Sequence, residues 1–108
     1  MVSKVIASEL IGLPQQVVAA ADIDWGVTVD AYLMDAARVG QRFTATVYCD
    51  LSGVSCDGMT VVTPEVRMVG QVNGCILVRT LTGSDHYVIA SKLLEAAAER
   101  GCNRYAQI

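Results

Sequence analysis

Ser84, Asp85 and His86 stand side by side and supply the three residue types of a hydrolytic triad. A triad needs nucleophile, base and orienting acid to converge on one point from different parts of the chain. Neighbouring residues of an extended segment point to opposite sides, so their adjacency argues against catalysis. Ser84 and Asp85 are better suited to hydrogen-bond the backbone of their own turn, with His86 opening a strand.

Metal and phosphate chemistry lack their motifs as well. Cys49, Cys56, Cys75 and Cys102 are scattered, and none is paired at the C-x-x-C type of spacing that a zinc knuckle requires. Cys49 and Cys75 fall in alternating apolar segments, where a thiol packs as a small core residue. Cys56, beside Asp57 in a polar loop, is the thiol expected at the surface, and its acidic neighbour disfavours a reactive thiolate. Neither G-x-G-x-x-G nor G-x-x-x-x-G-K-[ST] occurs. Asp22 and Asp24 form one D-x-D pair, which without further oxygen ligands reads as a solvated loop or a helix cap. No cofactor or metal is expected.

The remaining chemistry is that of recognition. Trp25, the only tryptophan, lies between Asp24 and Gly26 in an irregular stretch, where it serves as a buried plug or as an exposed anchor of the kind interfaces favour. With Asp22, Asp24, Asp30, Tyr32 and Asp35 it defines an aromatic and acidic candidate surface for a protein carrying Lys or Arg. Charge supports that placement. Up to Asp35 five acids face Lys4 alone, whereas the rest of the chain carries six acids and seven bases. With a net charge of −3 and no Lys/Arg cluster, the counterion-release term that drives nucleic-acid binding is missing, so direct DNA or RNA contact is not expected.

The elements that must hold these residues belong to one domain. At 108 residues the chain is too short for two independent cores, and 53% hydrophobic against 18% charged residues offers ample surface to bury. Residues 1–21 resemble an export signal superficially, but Glu9 interrupts the apolar stretch and Pro14 follows it. No run reaches the roughly 18 apolar residues of a membrane span. A cytoplasmic protein with reduced thiols is the expectation.

Ser3 can cap a first helix ending before Gly12, and Pro14 can open a second over residues 14–21. Thr28 can cap a third over residues 29–39, with Val29, Leu33, Ala36 and Ala37 on one face, Asp30 in its first turn and Gly40 as its stop. From Arg42 the period changes from 3.6 to 2. Strands are expected over 42–49, 59–63, 66–72, 75–81 and 86–90, with Pro64 as a boundary and Asn73-Gly74 as a hairpin turn. Ser91 can cap a last helix over residues 92–100. The expected architecture is α+β: N-terminal helices, a four- to five-stranded antiparallel meander able to curl into a small barrel, and a C-terminal helix packed on the sheet.

Three function classes fit this reading. The first is a small acidic non-catalytic module that binds another protein, as an inhibitor, adaptor or accessory subunit. An inhibitor from a mobile element, acting on a basic nucleic-acid-handling machine, would suit the size and charge. The second is a small-ligand binder or minor enzyme with a pocket between sheet and helices. The third is a structural protein that self-associates through sheet edges into a homo-oligomer.

Overall fold

The computed structural model describes residues 12–93. They form one short helix, α1 (Gln15–Ala21), and six strands: β1 (Ala31–Val39), β2 (Arg42–Tyr48), β3 (Thr60–Val62), β4 (Val66–Val72), β5 (Cys75–Thr80) and β6 (His86–Ile89). The strands make a single mixed sheet in the order β3-β2-β1-β6-β5-β4, in which β1 and β6 run parallel and every other pair is antiparallel.

This corrects the helix-rich meander in three places. The expected helix over 29–39 is strand β1. Ala31 and Leu33 point to one core and Tyr32 and Met34 to the other, the period of a strand. A bulge then sets Asp35 and Ala36 together opposite Ala45, with Asp35 at φ 53°. The extra residue returns Ala36 to the face of Leu33, and that three-residue step imitates helical spacing. Gly40, at φ 63°, completes the imitation: a glycine in this conformation ends a helix or turns a hairpin equally well, and here it joins β1 to β2.

The second correction concerns strand order. β3 and β4 are joined only by Thr63, Pro64 and Glu65, yet they lie at opposite edges of the sheet. A reversal would need a residue at positive φ, and this link has none, in contrast to Asn73 and Gly74 at φ 51° and 82°. The chain therefore crosses from one edge to the other. On one side Thr63 and Val66 donate to the carbonyls of Phe43 and Gln41, and on the other Leu81 donates to the carbonyl of Glu65. Thr63 is buried, and its hydroxyl accepts the Phe43 N–H while donating to the Pro64 carbonyl.

The third correction concerns the ends. The expected helix over 3–11 lies outside the described residues, and so does most of the one over 92–100. Ser91 does not begin a helix: its hydroxyl accepts the Asp35 N–H, and Lys92 continues alongside Ala36 in an isolated parallel bridge.

The sheet separates two cores. Its inner face gathers Ala31, Leu33, Ala45, Val47, Val66, Val78 and Ile89. Val66 of β4 and Val47 of β2 lie four strands apart, about 19 Å in a flat sheet, so their shared cluster requires a strongly curled one. On the outer face Val17 and Ala20 of α1 cover Cys75, Leu77, Val88 and Ala90. Leu33 and Ile89 are each 1% exposed, and burying such side chains contributes about 1.5–3 kcal/mol apiece. Among the described residues no helix is long and apolar enough to cross a membrane.

Candidate functional site

A cavity of about 280 Å³ opens at the end of the curled sheet where β1 and β6 begin. Leu33, Val47, Val61 and Ala31 give it an apolar wall, and Asp30, Asp50 and Asp85 bring three carboxylates to its lining beside Tyr87.

Each acid is fixed by its own backbone. Asp30 precedes β1 and ties three segments together: its N–H donates to the His86 carbonyl (2.7 Å), its Oδ2 accepts the His86 N–H (2.8 Å), and its carbonyl accepts the Leu51 N–H (2.8 Å). Asp50 folds the loop after β2, accepting from the Ser52 N–H, the Ser52 hydroxyl and the Ser55 N–H. These donors, the Ser55 N–H first and then the Ser52 side chain, hold its carboxyl below the usual value. Asp85 closes the turn before β6, where its N–H donates to the Thr80 hydroxyl and its carbonyl accepts the Thr80 N–H.

Tyr87 registers the field these acids create. Its hydroxyl donates to Asp85 Oδ2 at 3.4 Å. Burial, then the charge and hydrogen bond of Asp85, and then the charges of Asp30 and Asp50 push its phenol up to about 12. The cavity therefore combines apolar walls, a neutral hydroxyl donor and negative charge, an environment that suits a cation on an aliphatic stem. Among the described residues no three of His, Cys, Asp and Glu are placed to hold a metal ion.

The sequence-based candidate surface divides into four. Asp22 and Asp24 are exposed after α1, with Asp24 Oδ1 accepting the Gly26 N–H. Trp25 and Tyr32 pack half-buried on the outer core, and the Trp25 indole N–H donates to the Ala20 carbonyl at 3.1 Å. Burial, and after it the charge of Cys49, raises the Tyr32 phenol. Asp30 lines the cavity, whereas Asp35 is exposed at the bulge of β1. Asp85, which joins Asp30, reads in the sequence only as a turn residue, and Asp50 is not singled out there. Their convergence rests on the pairing of β1 with β2 on one side and with β6 on the other, and no local spacing announces it.

The cysteines also change places. Cys75 is buried as expected, but β2 ends at Tyr48, and Cys49 turns out to φ 57° and is exposed. Its N–H donates to Asp57 Oδ1 at 2.7 Å, and partial burial followed by the Asp57 charge raises its thiol, away from thiolate chemistry.

A wider groove of about 610 Å³ lies toward the other end of the sheet, between Phe43, Val66, Met68 and Ile76, with Arg38 and Lys92 in its lining. No protein-family model, curated protein or solved structure matches the chain.

Proposed function

We propose that this chain is a non-catalytic protein-binding module that receives a Lys or Arg side chain of a basic partner in the acidic cavity. The observation that supports this reading is the convergence of Asp30, Asp50 and Asp85 from three separate segments onto one apolar cavity. At about 280 Å³ the space falls just below the roughly 300–1,000 Å³ of small-molecule sites, and it has room for a single long side chain. The aliphatic stem would lie along Leu33 and Val47 while the charged head meets the carboxylates and Tyr87.

Affinity purification from the native host with wild type and the Asp50→Asn/Asp85→Asn variant tests it. The reading expects specific partners with wild type, lost in the variant at an unchanged circular dichroism spectrum and weakened by salt. Recovery of the same partners by both proteins would sink it. The wider groove, whose size lies inside the small-molecule range, supports a second reading, small-ligand binding, for which a metabolite thermal-shift screen is the test.

A further inference from the structure

β5 and its two neighbours bring three nitrogen-bearing side chains into one row. Arg79 stands directly opposite Arg67 of β4 on one side and opposite His86 of β6 on the other. Directly opposed residues project from the same face about 4.5–5.5 Å apart. Here that face is the outer one, since the adjacent Val66 and Val78 point to the inner core. The acidic cavity opens on the inner side and touches the row only through Asp30, whose Oδ2 accepts the His86 N–H.

Two features of the row are unfavourable in isolation. Two guanidinium groups opposed across a strand pair repel each other. In addition, Arg79 is half-buried, and among the described residues its enclosed Nε has no hydrogen-bond partner. A buried donor left unsatisfied calls for an explanation, an ion being one. Among the described residues, Asp30 meets the row through its Oδ2, which accepts the His86 N–H at 2.8 Å, and Glu65 lies two residues before Arg67 with its carbonyl engaged by Leu81.

We propose that Arg67, Arg79 and His86 form a binding site for a phosphate group. A single oxyanion accepting from the Nη groups of Arg67 and Arg79 relieves the first feature, because it screens one arginine from the other. Charge selects the class. A phosphate group carries about −1.5 to −2 at neutral pH, matching two arginines, whereas a carboxylate supplies half of that. Guanidinium forks fit phosphate oxygens in paired hydrogen bonds, and His86, on the far side of Arg79, adds a third donor. The phosphate can belong to a small metabolite or to a phosphorylated side chain of another protein.

The test is thermal unfolding of the full chain at fixed ionic strength, titrated with inorganic phosphate, with acetate as the carboxylate control. Wild type is expected to show a saturable rise in melting temperature with millimolar phosphate and none with acetate. Arg79→Gln is expected to abolish that rise and, without phosphate, to melt no lower than wild type, because the repulsion is gone. An equal response of both proteins to phosphate, or an equal response of wild type to acetate, overturns the proposal. So does a phosphate-insensitive wild type. Glycerol phosphate and a phosphoserine peptide then separate the two sources, and saturation by either one at lower concentration than inorganic phosphate identifies it. Failure of both to displace inorganic phosphate also counts against the site.

Discussion

Along β6 one step of the backbone separates two opposite electrostatic settings. Asp85 and Tyr87 line the inner cavity with Asp30 and Asp50, while His86 between them joins Arg79 and Arg67 on the outer face. The pleat of the strand keeps them apart, because successive side chains leave on opposite sides. Around β6, charge is therefore sorted by face of the sheet and not by half of the chain. The acid excess of the first half contributes only Asp30 to the cavity, and Asp50 and Asp85 come from the half that carries the bases. The comparison teaches that a thin sheet can present an anionic and a cationic surface back to back, provided its register is held.

Register depends on the cores, so the largest expected effect is packing. Ile89, 1% exposed, anchors β6 between the two settings. Ile89→Ala is expected to lower unfolding free energy by about 2–5 kcal/mol in urea titration, and a loss below about 1 kcal/mol would mean that this residue does not hold the register. Next comes the inner setting itself. Asp85→Asn removes the charge that acts most strongly on Tyr87, while its amide oxygen can still accept from the phenol, so the phenol ionises at lower pH than about 12. It stays above 10, because burial is the larger cause. Ultraviolet titration of phenolate absorbance reads this, while Arg79→Gln on the opposite face leaves the same titration unmoved.

A third, smaller effect follows by linkage. The folded phenol of Tyr87 holds its proton to about 12, and the unfolded one releases it near 10. The contribution is thus complete below pH 10 and is lost as pH rises toward 12. Melting temperature should fall across that window, and less steeply in Tyr87→Phe. Asp50 has the opposite sign and the smallest size. Its lowered carboxyl stabilises the fold above the ordinary value of 3.8 and stops doing so as pH falls through the folded value. Asp50→Asn at neutral pH should cost only a few degrees of melting temperature, about 4 °C at most, since the group is only partly covered, and the difference should vanish in acid.

Much of the sheet is legible in the sequence, for reasons that particular residues make plain. Phe43, Ala45 and Val47 alternate without interruption, and Asn73-Gly74 carries the turn in its side-chain chemistry. β1 is not legible, because one bulged residue, Asp35, converts its period of two into a helix-like spacing and Gly40 fits either reading. The edge-to-edge path of Thr63-Pro64-Glu65 is hidden for another reason: Pro64 marks an interruption but not the direction the chain takes after it. Of the candidate site only Asp30 was visible. Its partners lie 20 and 55 residues away, and only the sheet order brings them together.

That order has a kinetic consequence. The sheet consists of two three-stranded units, β1 to β3 and β4 to β6, each contiguous in the chain and each built from antiparallel neighbours. They meet along the parallel contact of Ala31–Leu33 with Tyr87–Ile89, residues 56 apart in sequence. Each unit can form by closing short loops, but their union pairs residues 56 apart in sequence and has to wait until both units have formed. The seam between β1 and β6 is therefore the late event in folding, and the acidic cavity, which draws Asp30 from one unit and Asp85 from the other, exists only once the two halves have joined.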